Sequence, residues 1–526
     1  MIRQYVALKP SSQFRAVYRE ASRLRQLKAV QEHMVRLLDE LGAPPRLLQE
    51  NAFTVASTPS LDWTADLAGD APDAPILEDV LEELIVALEF GGSASLGDFR
   101  EVVLANLGKS AGHGDAFVWI GADPGGDLAD HWCPASGNLA TFGHRTDARR
   151  VLNVDVLDAE LPPADRAPTP KVNVVIFDQG LNKEAILASH PGGWGGGWGQ
   201  AGIAPGKAER SSHGMLIARN VLDIAPDAVV YDVPLIPRPA IADIPIFASG
   251  ANAAYQVVLL WIKLLRTLPQ WSGPWILVNA WAIYDRASEM PLGDYTENKN
   301  DADPHAIGHR LNNIIAEAAL RQQIDVVFAA GNCGAFCPAQ RCGKLDRGAG
   351  SSIWGGNSSS AVITTGAVLT NDMWLGYSSQ GPGQERLGYE KPDFCAPSQF
   401  SETTDAHMLN TGTSTACGLT AGVVAALRRG WDPLNVSPQA LKHVLTDTAR
   451  KIQGPAWNGR IGYGVLNAGA AFERLSTDNP LTWQRPGALV RASSGSTQEA
   501  SGAPRASRPG RIFSRLAGLI KSLVRN

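Results

Sequence analysis

KVNVVIFDQG, residues 171–180, is the stretch that decides the fold. Lys171–Phe177 (KVNVVIF) is a short β-branched run, which suits a buried strand of a parallel sheet. It stops at Asp178-Gln179-Gly180, where a turn is expected. Similar runs recur at Ala228–Val233, Trp275–Asn279 and Asp325–Ala329. Helical stretches lie between them, at Met215–Leu222, Ala253–Leu268 and Ala306–Gln322. Strands alternating with helices predict an α/β fold with a mostly parallel sheet. In such sheets ligands and catalytic groups gather at the carboxyl ends of the strands. Asp178 and Asn332 both fall there.

Working outward, residues 12–41 carry apolar residues at helical spacing, with Ser12 as a candidate N-cap. Further helices are expected over Leu77–Phe90 and Leu96–Leu107. This makes 1–165 a mainly helical N-terminal region, closed by the Pro-rich stretch LPPADRAPTP (161–170). The main domain then runs over 166–480. From 481 to 510 the chain is rich in Ser, Gly, Pro and Ala, a flexible linker by composition. Residues 511–526, RIFSRLAGLIKSLVRN, form a basic amphipathic tail suited to an anionic membrane surface or a partner protein.

With 526 residues, 44% of them hydrophobic, the chain is long enough to bury a large core in two or three units. A net charge of -5 gives no basic face of the kind nucleic-acid binding needs. The N-terminus lacks the apolar run of a secretory signal, and no stretch is long enough to span a bilayer, so a cytoplasmic protein is expected, peripheral to a membrane at most. Six cysteines are too few for a disulfide-dense scaffold. Cys333, Cys337 and Cys342 follow Asn332 closely. Free thiols are expected, with one disulfide as the alternative in an oxidising compartment.

The chemistry lies in four segments: VVIFDQG (174–180), SSHGM (211–215), VVFAAGN (326–332) and NTGTSTACGLTAGVVAAL (410–427). Ser414 begins a helix rich in Ala and Gly, where free N–H groups favour negative charge. A serine hydroxyl is a weak nucleophile without a base. His213 is the candidate base, and Asp178 the carboxylate that fixes its tautomer. Asn332 is the candidate donor to an oxyanion. Each segment alone has an ordinary explanation, as a helix cap, a structural histidine or a tight turn. Their occurrence together, in the order Asp, His, Asn, Ser, is what points to nucleophilic catalysis.

On these segments the chain resembles the subtilases, whose triad follows the order Asp, His, Ser. KPDFCAPS (391–398), LKHVLTDTARKI (441–452) and GYGVLNAGAA (462–471) extend the resemblance over roughly residues 170–475. It implies a subtilisin-like fold, a serine endopeptidase acting on proteins or peptides, and the roles above for Asp178, His213, Asn332 and Ser414. It also implies that residues 1–165 stand where a pro-region would, or serve as a regulatory domain. No cofactor is expected. Calcium is conceivable at the acidic segment 293–305, without a recognised ligand spacing.

The sequence departs from the family pattern in places. Gln179 replaces a usual Thr or Ser, and Met215 a usual Thr. NAWAI (279–283) stands where Asn-x-Ser-Leu-Gly is usual, which sets Trp281 and Ile283 at the usual small Ser and Gly. Trp281 and Gly331 are the expected substrate-lining positions, with ordinary packing as the equal alternative for Trp281. PGGWGGGWGQAG (191–202) reads as a solvent loop, with Trp194 and Trp198 as alternative peptide clamps. A protease fold that only binds peptides is the competing function. An α/β-hydrolase is disfavoured by the triad order and by the lack of a Gly-x-Ser-x-Gly elbow.

Overall fold

The computed structural model describes residues 1–481 except 20–22, 50, 62, 70–80, 113, 130–141, 164–165, 168, 201–202, 237–245, 297–308 and 406–407. The 481–510 linker, beyond its first residue, and the 511–526 tail lie outside the described residues, as does Cys133.

Six buried strands make up most of the main sheet: β7 (Asn173–Asp178), β9 (Val229–Pro234), β10 (Trp275–Asn279), β12 (Asp325–Ala329), β13 (Ile363–Val368) and β14 (Phe394–Pro397). With β8 (Trp194–Gln200) and β3 (Trp63–Leu67) the order is β14-β13-β12-β10-β7-β9-β8-β3. All pairings are parallel except the last, where β3 runs antiparallel along β8.

Alternation along β7 divides the core in two. Val174 and Ile176 face α7 (His213–Ile224) and α10 (Gly412–Arg428). Val175 and Phe177 face α8 (Ala248–Leu265) and α9 (Arg310–Leu320) on the other side. Burying each such side chain contributes about 1.5–3 kcal/mol. At one end of the sheet, Arg428 closes α10 with a bidentate ion pair to Asp325, at 2.6 and 2.7 Å. Both side chains are fully buried.

The Gly-rich stretch is not a solvent loop. It is strand β8, and its glycines are required by close packing. A Cβ on Gly195 would lie 2.3 Å from the Tyr231 ring, and one on Gly197 would lie 2.1 Å from the Asp232 carbonyl oxygen. Trp198 is fully buried and Trp194 nearly so, which removes both as peptide clamps.

The N-terminal region holds helices at Ser12–Arg19 (α1), Arg23–Glu40 (α2) and Ser93–Ala105 (α3), but an antiparallel sheet organises it. Its strands are β1 (Ile2–Lys9), β2 (Thr54–Ser57), β4 (Leu84–Phe90) and β5 (Ala116–Ala122), in the order β2-β4-β1-β5. The helix expected over 77–90 is therefore a strand from Leu84 onward, while 77–80 lie outside the described residues. The physical reason is burial on both faces. Val86 and Leu88 face the helices of the same unit, and Ile85 faces the core beneath α8.

The two sheets are thus packed together. Segment 290–295 adds polar anchors. Gln4 donates to the Met290 carbonyl at 2.6 Å, and Asp294 accepts from Arg100 at 3.2 Å and from Ala122 N at 2.6 Å. The Asp294 carboxylate is therefore engaged in docking. The chain returns to the main core before the Pro-rich stretch. Helices α4 (Arg145–Leu152) and α5 (Asp155–Glu160) bury Ala148, Leu152 and Leu157 there.

Candidate active site

Asp178 ends β7 and is fully buried. His213 opens α7, whose N-cap Ser212 accepts from Met215 N. The imidazole Nδ1 lies 2.7 and 2.9 Å from the two Asp178 oxygens. Gln179, an apparent departure in the sequence, has a positioning role. Its side-chain oxygen accepts from His213 N at 2.8 Å. Serine or threonine has a shorter reach, so Gln179 makes this contact in its own way.

Ser414 lies in the first turn of α10, after Thr411 as N-cap. Helices α7 and α10 pack alongside each other because glycines allow it. A Cβ on Gly418 would lie 3.0 Å from Asn220 Cβ, and one on Gly422 would lie 3.0 Å from Ile224 Cβ. Gly418 faces Ile217 and Asn220, and Gly422 faces Asn220 to Ile224, so the helices run parallel and in register. One turn before Gly418 is Ser414, and one turn before Ile217 is His213. The two residues therefore sit at the same end of the helix pair.

Asn332 follows β12 and is held by the residue before Ser414. Its Oδ1 accepts from Thr413 N at 3.0 Å and from Thr413 Oγ1 at 2.9 Å. This fixes the amide orientation. Its Nδ2 is buried and has no hydrogen-bond partner among the described residues. A buried unpaired donor costs about 1–3 kcal/mol. Gly331, with φ +102°, donates to Thr413 Oγ1 and accepts from Ser379 N, so its backbone polar groups are already engaged.

Trp281 does not line a pocket with its side chain. It is fully buried, edge-on to Phe328 and Phe247, and its Nε1 donates to Asn279 Oδ1 at 3.1 Å. Only its backbone is presented. That backbone, in β11 (Trp281–Ala282), pairs antiparallel with β6 (Asp127–Leu128). Ala129 N donates to the Ala280 carbonyl at 2.7 Å, and Ser414 N donates to the Ala129 carbonyl at 3.2 Å. The Ser414 hydroxyl donates to the Ala280 carbonyl at 3.3 Å. A piece of the N-terminal region therefore lies extended across the site. Nothing in the sequence marked Asp127-Leu128-Ala129, which has no motif and no special composition.

Two further features surround the site. Asp232 is fully buried beside Asp178, and burial raises its carboxyl to a pKa of about 7. It accepts from Gly206 N at 2.7 Å. Cys333 and Cys342 form a disulfide and Cys337 is disulfide-bonded as well, so the expectation of free thiols fails for all three. The bridge closes a short loop directly after Asn332, where the two cysteines are brought within Cα reach of each other. Cys395 and Cys417 are free and buried.

A family model described as the subtilase family matches residues 192–464, just over half of the chain. Solved structures with a similar fold include MycP1 from Mycobacterium smegmatis, at 16% identity and a TM-score of 0.41, covering 73% of this chain and 95% of that one. MycP1 with its N-terminal propeptide removed is similar at 17% identity and a TM-score of 0.39, covering 65% of this chain and 98% of that one. An S218A mutant of the protease domain of PatA is similar at 19% identity and a TM-score of 0.39, covering 59% and 98%. No curated protein matches the chain.

Proposed function

The chain belongs to the subtilase family, has the subtilisin-like α/β fold and is a serine-type endopeptidase, and we propose that Ser414 is its nucleophile. In this reading Ser414 Oγ attacks the carbonyl carbon of the scissile peptide bond. Its proton passes to His213 Nε2, while Asp178 holds Nδ1–H and stabilises the imidazolium. The developing oxyanion is received by Ser414 N–H and Asn332 Nδ2. Collapse breaks the C–N bond, and His213 returns the proton to the leaving amine. Water, deprotonated by His213, then hydrolyses the ester. The carboxylate product leaves and Ser414 regains its proton.

The observation that carries this reading is the Ser414 N–H on the Ala129 carbonyl, at the end of α10 that also holds Asn332 through Thr413. A carbonyl accepting from that N–H occupies the place this reading gives to a scissile carbonyl. The helix terminus supplies the donor, because the first turn of α10 has no intrahelical acceptors for its N–H groups.

The same contact supports a role for the N-terminal region as an inhibitory pro-region. Residues 127–129 cover the nucleophile, and the sheet of that unit is docked through α8 and Asp294. The Cys333–Cys342 bridge favours an oxidising compartment as the working environment over the cytoplasm expected from the N-terminus.

The test is hydrolysis of an internally quenched peptide by wild type, Ser414→Ala and His213→Ala. Each substitution is expected to lower turnover by about a millionfold when nucleophile and base act as a unit. Hydrolysis by Ser414→Ala at the same measurable rate as wild type, with residues 127–129 displaced from the cleft in both, would refute the assignment.

A further inference from the structure

Resting on the reading of Ser414 as nucleophile, the geometry points to Arg341 as the specificity-determining residue of the cleft. We propose that it selects an acidic side chain two residues before the residue whose carbonyl is attacked. The substrate class is then a peptide with an acid, an apolar residue and a small residue in succession before the cut.

The segment already in the cleft is the template. Ala129 provides the carbonyl at Ser414, so its own side chain marks the position before the cut. Its methyl is fully buried among the residues between the main sheet and the helices bearing His213 and Ser414. Leu128, the next residue back, is fully buried among the apolar residues on the opposite side of the sheet. Its carbonyl accepts from Tyr284 Oη at 2.8 Å and from Arg341 Nη2 at 2.9 Å. Asp127 comes before it and is also fully buried. Arg341 Nη1 lies 2.6 Å from Asp127 Oδ2. One guanidinium thus reads both the backbone of one position and the side chain of another. A fork of donors suits that task, whereas the point charge of lysine does not.

Arg341 is built to stay in place. Its guanidinium lies over the Tyr284 ring, 4.5 Å from the centroid. The loop that carries it is closed by Cys333–Cys342. Ala339 N donates to the Asn332 carbonyl at 2.8 Å, and Gly343 N donates to the Tyr284 carbonyl at 2.8 Å. The specificity residue and the oxyanion donor therefore share one stapled loop. A buried carboxylate without its cation is costly, while an uncharged amide loses only part of the contact. Selection between Asp and Asn at this position follows from that difference.

The experiment uses the full chain in four forms: wild type, Asp127→Arg, Arg341→Glu and the double variant Asp127→Arg/Arg341→Glu. The rate at which a fluorophosphonate labels Ser414 reports whether the cleft is open. Asp127→Arg sets two cations against each other and should speed labelling by at least about 30-fold. The double variant reverses the pair and should return labelling towards the wild-type rate.

Quenched peptides containing Gly-Asp-Leu-Ala-Asp or Gly-Asn-Leu-Ala-Asp are then compared on Asp127→Arg. The Asp peptide should have a kcat/KM at least about 30-fold higher. Adding Arg341→Gln should cut that preference to below about twofold. An enzyme labelled on Ser414 that treats both peptides alike, or keeps its preference without Arg341, overturns the inference alone. Absence of Ser414 labelling in every folded form overturns the hydrolase reading beneath it as well.

Discussion

Strands β7 and β4 carry equally continuous apolar runs, VVIF and LIVAL, and both are buried on two faces. One was legible as a strand and the other was read as helix. A short apolar run has no periodicity that separates the two states. β7 ends at once in Asp-Gln-Gly, and it recurs in an alternating series of strands and helices. β4 follows an acidic, uninformative stretch and belongs to no such series. Pairing distance does not separate the two, since β7 pairs with β10 about as remotely in sequence as β4 pairs with β1. The main sheet is legible because its strands repeat one pattern with helices between them, and the N-terminal sheet lacks that repetition.

The most severe way to break the main sheet is at its buried ion pair. Arg428→Met leaves Asp325 charged and unpaired, and is expected to cost about 3–5 kcal/mol in chemical denaturation. The double change Arg428→Met/Asp325→Leu removes both charges and should recover most of that loss. A loss of less than about 1 kcal/mol for the single variant would show that the pair does not close the core.

Asn332→Ala sharpens the comparison in the other direction, since it alters chemistry without touching a sheet. Turnover is expected to fall by about 100- to 1,000-fold with little change in KM. A change in KM alone would instead place Asn332 in ground-state binding.

The N-terminal unit should respond through access, with turnover unaffected. Asp294→Asn weakens the contacts to Arg100 and Ala122 N. It is expected to cost about 1–3 kcal/mol of docking, because hydrogen bonds to a charged group are being lost. The readout is faster labelling of Ser414 at unchanged turnover of processed enzyme. Slower labelling would contradict the docking role.

The smallest effect concerns Asp232. Its carboxyl has an ordinary value of 3.8 and is raised to about 7 in the folded chain by burial. Between these values the folded chain holds a proton that the unfolded chain has released. The stability tied to that proton is full below about pH 4 and is lost as pH rises through about 7. Asp232→Asn removes this dependence. The melting temperatures of variant and wild type should be close near pH 4 and diverge in favour of the variant as pH rises to 7. A constant offset across that range would contradict the assignment.

The candidate site divides in the same way as the sheets. The places of Asp178, His213, Asn332 and Ser414 at or beside element ends were legible, because the flanking sequence announces each element. Gln179 was visible only as a departure, and its hold on His213 N depends on a geometry that composition does not carry. Trp281 takes the packing alternative, because a bulky side chain in a pocket-lining segment can turn away into the core and leave only its backbone in the cleft. Arg341 and Asp127 were unreadable, since they are 214 residues apart and meet only across the two units.

The central claim is that Ser414 is the nucleophile of an assembled triad. It is tested most directly by extended incubation of the full chain with a fluorophosphonate, followed by peptide mass spectrometry of the adduct. The account predicts a single adduct on Ser414, absent in Ser414→Ala and strongly slowed in His213→Ala. An adduct on another residue, or none on the folded wild-type and Asp127→Arg chains, would contradict it.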